Sequence, residues 1–97
     1  MNKIDDINGK KILKALSRNE NLQHLDLSSN ELASLSGEGL KEALKENKCI
    51  KTIDLSNTNF IMTEDLYKAI EESPSLINID LRETKVKDSK FIYIYNY

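Results

Sequence analysis

The chain has 97 residues, which is enough for one domain with a modest core. Its formal net charge of −2 argues against a nucleic-acid-binding surface, which is normally basic. No apolar run approaches the roughly 18 residues of a membrane span, and the first residues lack a signal-peptide pattern. Because Cys49 is the only cysteine, we expect no internal disulfide and a reducing location. This is either the cytoplasm or, for a bacterial effector, the cytoplasm of a host cell.

One apolar motif occurs three times along the chain. Residues 22–32 read L-x-x-L-x-L-x-x-N-x-L, and the same spacing of apolar residues returns at 50–60 and 76–86. The alternation of apolar and polar residues predicts one strand in each copy, at 23–27, 51–55 and 77–81. A polar residue follows each strand and is expected to hydrogen-bond turn backbone: Asn30, Thr58 and Thr84.

Helical spacing separates the strand motifs. Apolar residues at i, i+3 and i+4 form one face on each of three segments, which predicts helices at 8–19, 37–47 and 63–72. The equivalent triplets are Ile12, Ala15 and Leu16, then Leu40, Ala43 and Leu44, then Leu66, Ala69 and Ile70. Alanine is the middle residue each time, as expected where a helix must approach the sheet closely.

Capping residues and proline predict the helix ends. Thr63 or Met62 is expected to precede the third helix, because two acidic residues that suit a first helical turn follow them. Pro74 is expected to end that helix, since proline disfavours helical backbone in the residue before it. Asn19 and Asn47 are expected to end the other two helices in the left-handed conformation.

The repeated unit predicts the architecture of the whole chain. Each strand–helix unit is too small to bury its apolar face alone, so the units are expected to stack. The strands would then run parallel and in register on one side of an α/β solenoid, with the helices on the other side. The expected single domain comprises a partial repeat at about 4–21, repeats at 22–49 and 50–75, a last strand segment at 76–86 and an atypical tail at 87–97.

One helix and the strand that follows it resemble a known repeat family. Residues 37–47 contain a glycine, a leucine, the pair Ala43–Leu44 and then Asn47, ahead of I-D-L-S at 53–56. This order resembles the ribonuclease-inhibitor-like leucine-rich repeat, and residues 44–48 are similar to the tropomodulin-type repeats. The resemblance implies a right-handed solenoid whose concave strand face binds other proteins. It implies no enzymatic chemistry and no cofactor.

Strand residues that alternate with the apolar ones form the candidate binding surface. The candidate partner-binding residues are His24, Asp26, Ser28, Thr52, Asp54, Ser56, Asn78, Asp80 and Arg82. The expected partner is another protein, whose identity the sequence leaves open. We expect neither a nucleic acid nor a membrane as the partner, in keeping with the charge and hydropathy of the chain.

Three of these candidates are aspartates at one position of the repeat: Asp26, Asp54 and Asp80. They are explained either as ordinary residues of the motif, as a carboxylate ladder for a basic partner, or as a carboxylate pair for glycoside hydrolysis or a metal. The last hypothesis lacks a base partner and a glycine-rich ligand loop. Arg82 is expected within diagonal reach of Asp54, where it either neutralises the ladder or anchors a partner.

The tail at 87–97 departs from the repeat. Three of the four tyrosines of the chain fall in its last five residues and alternate with isoleucine, which favours an extended strand. Such a strand could cap the last repeat, add to the sheet of a partner, or pair two copies of the chain. The predicted function is a protein-binding module, and the alternative is a vestigial or structural fragment of a longer repeat protein.

Overall fold

Helices and strands alternate along the chain. The computed structural model describes residues 3–85 and the backbone of residues 93–95. The elements are α1 (Asp6–Leu16), β1 (His24–Asp26), α2 (Ser34–Glu46), β2 (Thr52–Asp54), α3 (Glu64–Glu72), β3 (Asn78–Asp80) and β4 (Tyr93–Tyr95). The first three strands are each two residues shorter than predicted. Backbone hydrogen bonds still extend one residue beyond them, as from Leu27 N–H to the Asp54 carbonyl at 2.8 Å.

The strands form one sheet in the order β1-β2-β3-β4. The first three run parallel, and the pairs Asp26–Asp54 and Asp54–Asp80 fix their register. The predicted register of the three motifs is therefore confirmed. β4 pairs with β3 in the antiparallel sense, so the expectation of an extended strand in the tail is confirmed for the backbone of 93–95. The remaining tail residues lie outside the described part of the chain.

The core lies between the sheet and the helices. The middle residues of β2 and β3, Ile53 and Ile79, are buried, whereas their neighbours on each strand are at least partly exposed. The helices contribute the opposite wall of the core through Leu13, Leu16, Leu40, Ala43, Leu44, Leu66 and Ile70. This arrangement leaves one face of the sheet turned away from the helices.

The helices begin where a side chain accepts their first N–H groups. Asp5 accepts from Asn8 N–H at the start of α1, which was not predicted. Thr63 accepts from Leu66 N–H at the start of α3, as predicted. The end of α3 is also as predicted, because Ser73 before the proline is extended, with ψ of 129°. α1 begins two residues and α2 three residues earlier than predicted.

The early start of α2 has its cause in the preceding unit. Ala33 precedes α2 and has no side chain that could cap it. The Asp6 carboxylate of α1 instead accepts hydrogen bonds from the N–H groups of Ala33, Leu35 and Ser36 at 2.8, 3.0 and 2.8 Å. Asp6 therefore caps a helix that lies about 28 residues further along the chain.

Asp6 makes the stability of the fold sensitive to acid. Burial alone would raise the pKa of Asp6, but hydrogen bonds from Ser36 and from the N–H groups of Ala33 and Leu35 favour the carboxylate and hold that pKa below its usual value. The stabilisation is present above the pKa of the unfolded chain, near 4, and is lost as the pH falls through the lowered pKa of the folded state.

We expect Asp6→Asn to flatten the acid side of the stability profile. The measurement is the free energy of unfolding in urea from pH 7 to pH 2.5, with Glu46→Gln as the control because Glu46 is an exposed acid on α2. Both variants lose one charge, but only Asp6→Asn should reduce the slope below about pH 4. Equal slopes in the two variants would contradict the capping role of Asp6.

The prediction that Asn19 and Asn47 are left-handed caps is wrong. Asn47 has φ −82° and ψ 133°, and within residues 3–85 the non-glycine residues with positive φ are Ser29, Asn57 and Glu83. The Oδ1 atom of each asparagine instead accepts two backbone N–H groups, those two and three residues later, which fixes the turn into the next strand.

The side chain of Asn47 also joins two units. It is 1% exposed, and its Nδ2 donates to the carbonyls of Leu16 and Asn19 at 2.7 and 2.8 Å. These carbonyls belong to the last turn of α1 and to the turn that follows it, so the neighbouring repeat adds a hydrogen bond to each of them. The turn residues Asn30, Thr58 and Thr84 accept or donate within their own turns, as predicted.

The expected role of alanine in helix–sheet approach is wrong for the first helix. Ala43 is fully buried, but Ala15 is exposed and lies on the outer side of α1, in a groove with Leu22 and Leu25. The position faces the neighbouring unit rather than the sheet, so it is buried only where another unit covers it. The close approach between α1 and α2 depends on glycine instead: a Cβ atom on Gly39 would lie 2.9 Å from the Lys10 carbonyl.

Gly9 and Gly37 occupy equivalent positions but differ in the space around them. A Cβ atom on Gly9 would clash with the side chains of Leu32 and Ser36, whereas one on Gly37 would meet nothing closer than 3.8 Å. We expect Gly9→Ala to destabilise the fold by about 1–3 kcal/mol through overpacking. Gly37→Ala should be neutral or stabilising by up to about 1 kcal/mol, because alanine is the better helix former.

Chemical denaturation of both variants measures this difference. Both replace one glycine by alanine inside a helix, so the change in helix propensity is similar and cancels in the comparison. A Gly9→Ala midpoint at or above that of Gly37→Ala would show that α1 and α2 do not pack as closely as described.

Candidate protein-binding face

The nine candidate residues lie together on one surface. We call this surface the strand face; it consists of His24, Asp26, Ser28, Thr52, Asp54, Ser56, Asn78, Asp80 and Arg82. The parallel register places them in three rows, each with one residue from every unit. Because residues of one row sit on adjacent strands, they lie about 4.8 Å apart along the sheet. Each of the nine is at least partly exposed.

The first two aspartates of the middle row are held by the serine that lies two residues later in the same unit. In the first unit the Asp26 Oδ1 atom accepts from Ser28 N–H at 2.9 Å and from Ser28 Oγ at 2.6 Å. In the second unit Asp54 Oδ1 accepts from Ser56 in the same way, at 2.9 and 2.7 Å. The serines that follow each strand therefore orient the carboxylates, and one oxygen of each carboxylate takes up both bonds.

These hydrogen bonds favour the ionised carboxylates. The hydroxyl and the N–H group of Ser28 hold the pKa of Asp26 below its usual value. The Arg82 guanidinium does the same for Asp80, against a smaller opposing effect of burial on the pKa of that carboxyl. Asp26 and Asp80 are therefore negatively charged throughout the neutral range, although they lie in one row with Asp54.

Arg82 pairs differently from the expectation. Its guanidinium forms a bidentate ion pair with Asp80, two residues earlier at the end of β3, with Nη2–Oδ2 at 2.7 Å and Nε–Oδ1 at 3.0 Å. The ion pair is thus with Asp80 and not, as expected, with the diagonal Asp54. The N–H group of Arg82 also donates to Asp80 Oδ1, which holds the two residues together. Arg82 therefore neutralises the third carboxylate of the row, that of Asp80.

The row that precedes the aspartates contains a further contact between units. His24 Nδ1 and Thr52 Oγ1 are 2.7 Å apart, which links β1 to β2 through their side chains. Both side chains lie in the same row as Asn78. The first two units of the strand face are thus joined by a side-chain hydrogen bond.

A row of turn residues lies beside the strand face and was not predicted from the sequence. Ser29, Asn57 and Glu83 all have φ between 53° and 58°, and Asn57 Nδ2 donates to Ser29 Oγ at 3.1 Å. They border a polar groove of about 290 Å³. Asparagine is enriched at positive φ, which is a detectable signal at one of the three positions only.

Neither a metal site nor a membrane-spanning helix is seen in the described residues. No group of three or more His, Cys, Asp or Glu residues within 3–85 and 93–95 has the geometry of a metal site. No helix in this part of the chain is long and apolar enough to cross a membrane.

Comparison with known proteins adds a family assignment for part of the chain. Residues 21–43 match the family model described as Leucine Rich Repeat. This segment contains β1, the turn after it and the first ten residues of α2. A search of curated proteins found no match. The match supports a leucine-rich repeat in this part of the chain.

Proposed function

We propose that this chain is a protein-binding module that contacts its partner through the strand face. Leucine-rich repeats generally mediate interactions between proteins and are typically not enzymes. The observation that carries the choice of surface is the parallel register, which gathers nine polar or charged side chains from three units on one side of the sheet.

The side chains of this face are held in place before any partner arrives. Ser28 and Ser56 orient two carboxylates, Arg82 orients the third, and Thr52 contacts His24. Binding is stronger when side chains need little ordering, since each immobilised side chain costs about 0.5–1.5 kcal/mol. Such a surface is suited to specific recognition by polar contacts.

The charge of the face favours a basic partner. Asp80 already has Arg82 as its counter-ion, whereas the carboxylates of Asp26 and Asp54 are oriented by neutral serine groups. A lysine or arginine of the partner that reaches Asp26 and Asp54 would reduce the repulsion between adjacent carboxylates. Complementary charge of this kind contributes to specificity and to the rate of association.

The finer placement of the chain is part of the same proposal. Repeat intervals of 28 and 26 residues and the order of glycine, leucine and asparagine through α2 support the ribonuclease-inhibitor-like subfamily and a right-handed solenoid with a concave strand face. The single Cys49 supports a location in the cytoplasm.

A matched pair of charge-reversal variants tests the proposed face. Asp26→Lys with Asp54→Lys changes the strand face, and Glu46→Lys with Glu71→Lys makes the same change of charge at exposed positions on the helices. Each variant and the wild type would serve as bait for crosslinking and mass spectrometry, followed by titration of the purified prey.

The proposal predicts that the strand-face variant loses at least tenfold in affinity while the helix variant binds like the wild type. Equal loss in both variants would indicate non-specific attraction by charge, and loss confined to the helix variant would place the interface elsewhere. Absence of any saturable prey would support the alternative of a fragment without a specific partner. Each of these three results would overturn the proposed strand face.

A further inference from the structure

The two edges of the parallel part of the sheet differ in whether another strand pairs with them. On one side the antiparallel strand β4 pairs with β3, with Asn78 opposite Tyr95 and Asp80 opposite Tyr93. On the other side β1 is the first strand of the sheet, and within residues 3–85 and 93–95 no strand pairs with its outer edge. An open strand edge is a template for pairing with another chain.

The outer edge of β1 exposes the backbone groups of two residues. The carbonyl of Gln23 and the N–H group of Leu27 bond to residues 51, 52 and 54 of the neighbouring unit. Because successive residues of a strand point their backbone groups to opposite sides, His24 and Asp26 direct theirs outward. The next outward N–H group, that of Ser28, donates to the Asp26 carboxylate. The open edge is therefore short and ends at Asp26.

This edge is complementary to itself. If two copies pair antiparallel about a twofold axis at Leu25, His24 of one copy lies opposite Asp26 of the other, and each such pair can exchange two backbone hydrogen bonds. The imidazole of His24 uses Nδ1 for Thr52, which leaves Nε2 for the carboxylate of the second copy. Parallel, in-register addition of a second β1 would instead place aspartate beside aspartate, as already occurs between Asp26 and Asp54.

The apolar surface beneath the edge supports the same contact. A groove of about 140 Å³ there is lined by Ile12, Ala15, Leu16, Asn19, Leu22 and Leu25. The equivalent apolar positions of the next unit are fully covered: Leu40, Ala43 and Ile50 are each 0% exposed, whereas Leu22 is 37% exposed. A second copy centred on Leu25 would cover this groove.

We propose that two copies of this chain associate through the outer edges of β1, antiparallel about a twofold axis at Leu25. This interface shares His24 and Asp26 with the strand face, but its test needs no partner, so its failure is distinguishable from failure of the proposed function. It differs from self-association through the tail in the strand that it uses.

Light scattering over a concentration series, together with a charge exchange, tests the pairing of His24 with Asp26. The wild type should show a mass that rises from monomer to dimer. His24→Asp places two like charges opposite each other and should weaken the dimer roughly tenfold or more. His24→Asp combined with Asp26→His exchanges the two residues and should recover most of the affinity. A monomeric mass up to about 1 mM, a dimer that His24→Asp leaves unchanged, or no recovery in the double variant would overturn the proposal.

Cysteine crosslinking tests the register without relying on charge. In a Cys49→Ser background, Leu25→Cys places two thiols at a pair with Cα atoms about 4.5 Å apart, within the range that a disulfide spans. His24→Cys is the control, because its copies would be diagonal neighbours about 7–8 Å apart, near or beyond that range. With oxidised glutathione, Leu25→Cys should give the higher yield of disulfide dimer. Equal yields, or a higher yield from His24→Cys, would exclude this register.

Discussion

Replacement of Asn47 by alanine is expected to cost about 2–5 kcal/mol of unfolding free energy. The Leu16 carbonyl and the Ile50 N–H group are bonded to the Asn47 side chain in the buried part of the chain. The Ile50 N–H group would lose its partner, and a buried polar group left unsatisfied costs about 1–3 kcal/mol. The Leu16 carbonyl would keep only its bond from Asn19 N–H at 3.0 Å, and the bonds of Asn47 to the Asn19 carbonyl and the Cys49 N–H group would be lost as well. A domain of this size has roughly 5–15 kcal/mol in total, so the variant should melt roughly 10–30 °C lower.

Two further substitutions make this expectation specific. Asn19→Ala removes the same turn hydrogen bonds at an exposed position, where water can replace them, and should cost about 1 kcal/mol or less. Asn47→Gly should be as harmful as Asn47→Ala, whereas a left-handed cap would tolerate or prefer glycine. Urea denaturation of the three variants gives the comparison. Stability near wild type in Asn47→Gly would contradict the bridging role of the side chain.

The register and the core were predictable because they depend on periodicity alone. A one-residue shift of any strand would turn Ile53 or Ile79 out of the core, so the apolar pattern determines which strand residues are buried. The intervals between motifs then determine which residues pair across the sheet. For the same reason the membership of the strand face was predictable, since its residues alternate with the buried ones.

Contacts between units were not predictable from the sequence of one unit. Asp6 and Asn47 both act on backbone groups 27–31 residues away, and nothing in their local sequence distinguishes them from ordinary capping residues. The expected role of Asn47 as a cap failed because its side chain bonds to the neighbouring repeat. The expected role of Ala15 as a sheet contact failed because this residue lies exposed on the outer side of α1. Local propensity predicts the helices and strands of one unit, whereas the stacking of units determines which residues each side chain contacts.

The ion pair of Arg82 with Asp80 could not be predicted from the sequence pattern either. Diagonal and same-strand carboxylates are both within reach of a guanidinium, and the choice depends on side-chain conformation. The bidentate geometry with Asp80, together with the backbone bond to the same carboxylate, favours the same-strand pair. The Arg82 side chain is 73% exposed, so this pair contributes little to stability and more to the charge pattern of the strand face.

Leu55→Ala is expected to be among the most damaging substitutions in the core. Leu55 is 0% exposed and follows β2, the strand with a parallel neighbour on each side. Its N–H group bonds to the Asp80 carbonyl at 2.9 Å and its carbonyl accepts from Thr58 Oγ1 at 2.8 Å, so the backbone cannot easily collapse into the space left by the side chain. The lost transfer energy and the cavity together should cost about 2–5 kcal/mol.

Ile77→Ala is the matched control for Leu55→Ala. Ile77 directly precedes β3 and is 46% exposed, so its truncation removes little buried surface and should cost about 1 kcal/mol or less. Thermal and urea unfolding of both variants, monitored by circular dichroism, measures the difference. Leu55→Ala should be largely unfolded at 37 °C if the wild type lies at the lower end of the usual range of stability. Truncation of an aliphatic side chain destabilises the fold strongly only where that side chain is tightly packed. Similar unfolding midpoints in the two variants would therefore mean that Leu55 is not tightly packed between β2 and the helices.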